Sequence, residues 1–212
     1  MIEMKDRMKP ITHSVKTTII LALLVAFSGA TFAQEALRTW EVGGTDADGA
    51  SRVASIVENR FKKIKPSFFD SVSAQVKGNL VSIKFSGWHP TSNQVETLTQ
   101  TKGKLYVALA STPDKPLITE RDIEQSQPLA TSEVAIRLTD SAAQRVATLT
   151  ANAVGDAVIV QWDGRVIGRL RISSAPLRRD IAFSTPAGQS AQLMSAILST
   201  GALPEGVSLK AR

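Results

Sequence analysis

The dipeptide Asp163-Gly164 constrains this chain more tightly than any other pair of residues. Both central positions of a type I′ turn need φ > 0, and Asp-Gly is one of the few pairs that accept it. The turn follows the apolar run Ala157–Trp162 and predicts a hairpin there. The residues around it, 133–204, read as a small α+β unit. Val134, Ile136 and Leu138 alternate with Glu133, Ala135 and Arg137, which predicts a strand with one buried face. Thr139 or Asp140 is placed to cap a helix whose Ala142, Val146, Leu149 and Ala153 share a stripe, and Gly155 supplies the positive φ common after a helix end. Thr185 and Pro186 predict the first cap and first turn of a last helix, with Ala187, Ala191, Met194 and Leu198 as its stripe and Gly201 as its stop. Val146, Leu149, Met194 and Leu198 are expected to pack together over the sheet. The order is β-α-β-β-β-α.

The preceding part, 34–111, has a different order. Leu37–Val42 predicts a strand that Gly43-Gly44 ends. Asp46 or Asp48 is placed to cap a helix carrying Val53, Ile56, Val57, Phe61 and Ile64, and Pro66 stops it. Val72, Ala74 and Val76, the turn Lys77-Gly78-Asn79, then Val81, Ile83 and Phe85 predict a second hairpin. Thr91 and Gln94 have capping-box spacing for a short helix with Val95 and Leu98, ended by Gly103. Leu105, Val107 and Leu109 predict a closing strand. The order β-α-β-β-α-β is that of the ferredoxin-like fold, in which helices cover one face of an antiparallel sheet. The expected class is therefore α+β, a ferredoxin-like base followed by a small α+β head at 133–212. Pro113, Pro116 and Pro128 mark 112–132 as a semi-rigid connector between them.

Residues 1–33 stand apart. Lys5, Arg7, Lys9 and Lys16 precede the apolar run Ile19–Phe27, Ser28-Gly29 breaks it, and Thr31 and Ala33 are the small residues expected before a cut at Gln34. That pattern is a secretory signal peptide, which places the rest of the chain in the periplasm. The run is shorter than the roughly 20 residues of a spanning helix; an uncleaved anchor is the alternative. The chain has no cysteine, so disulfides contribute nothing and a packed core must. Removing 33 of 212 residues leaves 179, enough for one domain or two small ones. The leading segment carries four cations against Glu3 and Asp6, so the remainder keeps +4 of the net +6. That balance is too small to point to nucleic acid.

Three stretches carry a resemblance. The run from Thr150 to Gly155, the Asp-Gly-Arg-Val-Ile turn at Asp163 to Ile167, and Gly-Ala-Leu-Pro at Gly201 to Pro204 resemble the head of the first periplasmic domain of SecD, the accessory subunit of the bacterial protein-export channel. Glu58-Asn59-Arg60, the following hairpin, Gly87-Trp88-His89-Pro90 and Leu105 to Ala110 resemble the base of that domain. The resemblance implies a non-enzymatic module that handles exported chains. It brings no catalytic residue with it, and because the sequence stops at Arg212, where that family's membrane bundle would begin, a binding role without proton coupling is the expectation.

The residue census agrees. After residue 33 there is one histidine, His89, and no cysteine, too few donors for a zinc site or a Ser-His-Asp triad. Asp46 and Asp48 lack an acidic twelfth position for a calcium loop, since that position is Val57. Gly43-Gly44 is not followed by a phosphate-loop lysine. No metal and no cofactor is expected, and a hydrolase is the remaining enzymatic alternative. The candidate site is basic. Arg165, Arg169, Arg171, Arg178 and Arg179 cluster after the Asp-Gly turn, with Leu170, Leu177 and Phe183 among them. One account is a solvated strand face. The other is contact with acidic lipid headgroups, an acidic protein or an emerging polypeptide, the last held through cations, apolar pockets and an open strand edge. The expected partner is a polypeptide or an envelope protein, the export machinery included. Contact with membrane would be peripheral or through a retained N-terminal segment. The alternative to an export role is an independent periplasmic interaction module of the same fold.

Overall fold

The computed structural model describes residues 35–212. The signal-peptide reading of 1–33 and the cut before Gln34 lie outside the described residues. Eleven strands and four helices follow one another as β1 (Glu35–Gly43), α1 (Ala47–Ile64), β2 (Ser71–Lys77), β3 (Leu80–Ser86), α2 (Ser92–Gln100), β4 (Leu105–Leu109), β5 (Pro116–Thr119), a 3-10 turn (Glu120–Asp122), β6 (Ile123–Ala130), β7 (Glu133–Leu138), α3 (Asp140–Thr150), β8 (Ala157–Trp162), β9 (Arg165–Arg171), β10 (Asp180–Ser184), α4 (Ala191–Thr200) and β11 (Ser208–Ala211). They form three antiparallel sheets, ordered β11-β1-β3-β2, β10-β7-β6 and β5-β4-β8-β9.

Local chemistry sets most of the ends. The Asp46 carboxylate accepts the Gly49 N–H at 2.8 Å and starts α1. Val53, Val57, Phe61 and Ile64 form its buried stripe. Lys65, forced out of the helical region by Pro66, sits at ψ 135° and stops the helix. Thr91 and Gln94 satisfy each other's backbone N–H at the start of α2, at 3.3 and 2.8 Å. Asp163 and Gly164 take φ values of 48° and 80°, the paired positive values that the β8–β9 turn needs.

The first sheet departs from the expected connectivity. Its fourth strand is β11, from the far end of the chain, with Trp40 opposite Ala211 and Val42 opposite Leu209. The β4 strand lies instead at the centre of the third sheet, between β5 and β8. The ferredoxin-like order is kept, but β4 through β10 are inserted between α2 and the closing strand. An alternating apolar run specifies a half-buried strand without naming its partner, and here Val42 of β1 finds its partner at Leu209, near the end of the chain. The connector is also not a connector: 112–132 contains all of β5 and β6. Its prolines sit where a sheet tolerates them. Pro116 opens β5, an edge strand, and Pro128 falls at a register shift in β6, another edge.

Two helices differ from the expectation. The last helix starts at a Ser190 cap, whose hydroxyl accepts the Leu193 N–H at 3.3 Å. Thr185 and Pro186 instead enter a turn in which the Thr185 hydroxyl donates to the Gln189 carbonyl at 2.8 Å, and Ala187 lies outside the helix. Seven of the ten α4 residues are buried rather than one stripe, because α4 packs against α1 on one side and β6 and β7 on the other. In α3, Val146 is buried, but Leu149 is 53% exposed and does not join Met194 and Leu198 in the core. That helix ends at Thr150, before Ala153 and Gly155. Gly155, at φ 91°, serves the next turn, where its N–H donates to the Ile172 carbonyl at 2.9 Å.

Arg60 ties the parts together. Buried within α1, its guanidinium donates to the carbonyls of Leu98 and Thr101 at 2.9 and 2.8 Å, and to those of Lys102 and Gly201, both at 3.1 Å. One side chain thus closes the C-terminal ends of both α2 and α4. Burial lowers its pKa to about 10, against the opposing pull of the Asp163 carboxylate, so it stays charged at neutral pH.

Candidate binding surface

The expected site residues fall on β9, on the turn after it and on β10. They do not form one surface. Hairpin register decides which way each points. Arg169 lies opposite Ile159 and Arg171 opposite Ala157, on the outer face of the third sheet. Leu170 lies opposite the buried Val158, on the inner face, where it closes over Ile136, Ile181 and Phe183 of the second sheet. A bulge between Val160 and Gln161 leaves Ile167 without a direct partner and brings Val166 opposite Gln161, next to Tyr106. The outer face therefore presents Arg169 and Arg171 with Val166, Ile159 and Tyr106. The α3 helix packs against β5, at the other edge of this sheet from β9.

Four of the five arginines face water. Arg165, Arg169, Arg171 and Arg178 are exposed and make no ion pair or side-chain hydrogen bond among the described residues. Arg179 is committed to the structure. Its guanidinium holds Glu124, reaches Asp140 at 2.6 Å, and donates to the Leu138 carbonyl at 2.8 Å. Phe183 is buried between the second and third sheets. Leu177 is half-buried, and its N–H donates to the buried Thr150 hydroxyl at 2.9 Å. Arg179, Phe183 and Leu177 thus pin the arginine-rich segment to the core. The apolar part of the exposed surface is instead Val166, 56% exposed, and Leu170, 37% exposed.

The β9 strand is an edge, so one side of its backbone meets no other strand among the described residues. A Cβ built at Gly168, its middle residue, meets nothing within 4 Å, so another backbone can approach closely there. Next to the Arg165 end lies an open groove of about 740 Å³ between α2 and the β8–β9 turn. Thr97 and Gln100 of α2, Trp162, Asp163 and Arg165 of the hairpin, and Gln189 before α4 line it. Sequence periodicity does not announce this groove, because its walls come from three distant segments. The Gln189 side-chain amide nitrogen is buried with no hydrogen-bond partner among the described residues. Asp163 is fixed by the Lys102 and Lys104 N–H groups at 2.9 and 2.8 Å, which seats the turn against the end of α2.

Among the described residues there is no group of three or more His, Cys, Asp or Glu side chains that could hold a metal ion. His89 sits exposed in the loop after β3. The shifted carboxyls serve structure. Asp180 is lowered by its hydrogen bond from Arg137, at 2.8 Å, and Asp156 by its hydrogen bond from Ser111. No helix among the described residues is long and apolar enough to cross a membrane.

No protein-family model matches the chain, and no curated protein matches it. Solved structures do. A structure of SecDF, described as a membrane component that enhances protein export, aligns at TM-score 0.59 with 16% identity, over 83% of this chain and 97% of that one. A crystal structure of SecDF in a super-membrane-facing form aligns at TM-score 0.66 with 15% identity, over 92% of this chain. The chain spans 33% of that second structure. At such identity the likeness is one of fold, and it agrees with the fold that the SecD resemblance implies.

Proposed function

We propose that this chain is a non-enzymatic module of the protein-export pathway or of envelope protein maturation, acting outside the cytoplasm, and that it holds extended polypeptide along β9. The observation that carries the reading is the combination of an open strand edge with four guanidiniums that have no ion-pair or hydrogen-bond partner among the described residues. An extended chain laid along β9 satisfies the edge's free backbone groups, as in strand addition. Gly168 leaves room for its backbone, Val166 and Leu170 offer apolar contact, and the groove beside Arg165 continues the track. The SecDF fold is consistent with this role, because SecDF is described as enhancing export. A base at 34–111 and a head at 133–212 remain useful names for the two ends of the module, with the closing strand of the base taken from β11.

Ordering a floppy chain costs entropy, so the affinity should be weak, on the order of micromolar. Salt should weaken it in part, because exposed cations are screened while apolar and backbone contacts persist. The test is capture of an unfolded, soluble secretory protein at low salt by the wild type and by Arg169→Glu/Arg171→Glu/Arg178→Glu. Lower capture by the triple variant at an unchanged melting temperature is the expected result. Equal capture by both proteins counts against β9 as the binding edge. Failure of either protein to capture a client favours an independent interaction module whose arginines only solvate the sheet.

A further inference from the structure

The first sheet carries a second surface that the polypeptide reading does not use. Phe68 and Phe69, in the loop from α1 to β2, are 92% and 93% exposed, far beyond any other large apolar side chain of the described residues. Their rings sit edge to face, 6.1 Å apart. The loop is braced. The Lys65 ammonium donates to the carbonyls of Ser67, Phe68 and Asp70 at 3.1, 3.2 and 2.8 Å, and lies 5.7 Å from the centre of the Phe68 ring. The Ser67 N–H donates to the Asp70 carboxylate at 3.0 Å, and the Phe69 N–H to the Ser67 hydroxyl at 3.2 Å. Gly87 closes over it from the next loop, where an added Cβ would stand 2.7 Å from the Asp70 carboxylate. Two phenylalanines are therefore held out in water by a built structure.

We infer that the Phe68-Phe69 loop is an interfacial anchor that inserts both rings into the headgroup region of an anionic lipid surface. Exposed apolar side chains in such a setting mark an interaction site, and the charges beside them select the occupant. Lys62, Lys63 and Lys65 stand at the neck of the loop, and a cationic neck below an apolar tip fits anionic headgroups over hydrocarbon. Glu58 and Lys62 pair with each other, as do Glu35 and Lys84, and Asp70 is bonded inside the loop, so Lys63 and Lys65 carry the excess positive charge of the neck. Sheet register places the loop at one end of the sheet: Ser71, Ser86 and Glu35 lie in one row across β2, β3 and β1, with the Gly78 turn at the opposite end.

The absence of cysteine permits a direct test in the full chain. An environment-sensitive dye is placed on Phe69→Cys, and in a second protein on Lys77→Cys at the opposite end of β2. Vesicles are made of mixed phosphatidylglycerol and phosphatidylcholine, or of phosphatidylcholine alone. The dye at 69 should shift to an apolar environment on the mixed vesicles while the dye at 77 stays in water. Phe68→Ser should cut that shift at least fivefold, and Lys62→Glu/Lys63→Glu should weaken vesicle affinity by about fivefold or more per lysine. A chain bound to vesicles with the dye at 69 still in water overturns the inference. So does an equal shift at both positions, or an equal shift on vesicles of phosphatidylcholine alone. Because both rings are exposed, their replacement should leave the melting temperature in place, which separates lost insertion from lost fold.

Discussion

Arg60 shows how much one side chain can hold. Its planar fork reaches four carbonyls on two helix ends, and no other residue type presents that many donors in a fixed plane. Lysine cannot reproduce the pattern and would leave buried carbonyls unpaired. Arg60→Lys should therefore cost roughly 3 kcal/mol or more in urea-induced unfolding, and a loss under about 1 kcal/mol would mean that water replaces the fork. Core side chains give a sharper contrast. Met194 is fully buried, whereas Leu149, on an apolar stripe in sequence, is half exposed. Met194→Ala should cost about 2 to 5 kcal/mol, and Leu149→Ala no more than about 0.5 kcal/mol. The sequence alone put these two residues in one cluster. Periodicity marks the apolar side of a helix, but it does not say how far along that side the neighbouring layer extends. The same limit applies to the arginines. Composition found the cluster, while only the register separated Arg169 and Arg171 from the structural Arg179.

Elements were legible where their signals are local. The caps at Asp46 and Thr91, the Asp163-Gly164 turn and the stop at Pro66 each depend on residues within a few positions, and each is in place. The last helix was misplaced because Thr185-Pro186 is a good start signal in isolation, yet the backbone there spends it on a turn before Ser190. Docking between elements is less visible still. The α3 helix is held beside β5 by Arg145, whose guanidinium meets the Asp122 carboxylate at 2.8 Å. Partial burial pushes that carboxyl up, but hydrogen bonds from Arg145 and from the Thr119 N–H and hydroxyl, with the Arg145 charge, bring it below its usual value. The unfolded chain then binds the proton more readily than the folded one. The contribution is complete above the unfolded pKa, about 4, and is lost as pH falls through the lower folded value. Asp122→Asn should be less stable than the wild type at neutral pH, and the gap should narrow as urea midpoints are followed down through about pH 4. A constant gap would mean that the ion pair is not its source.

Across the whole molecule, the feature hardest to read in sequence is that the chain closes on itself. The β11 strand completes the sheet that β1 began, and α4, just before it, touches both α1 and the second sheet. The inserted strands β4 to β10 therefore cannot be treated as an appendage. Their return path runs through the core of the first sheet's helical layer, where Ile197 meets the position that a Cβ on Gly103 would occupy, at 2.6 Å. This arrangement predicts one cooperative unfolding transition for residues 35–212 rather than two. It also predicts a large effect from a small deletion. Removing residues 208–212 takes away the buried Leu209, the backbone ladder along β1 and the ion pair from Arg212 to Glu41. Burial of Leu209 alone accounts for about 2 to 5 kcal/mol, a large share of the 5 to 15 kcal/mol typical of a domain. Because the deleted strand borders Trp40 and Val42, the loss should appear in tryptophan fluorescence and in circular dichroism at the same denaturant concentration. A truncated chain that keeps the original midpoint would show that β11 is an optional edge. Two separated transitions in the full chain would show that α4 does not couple the first sheet to the second.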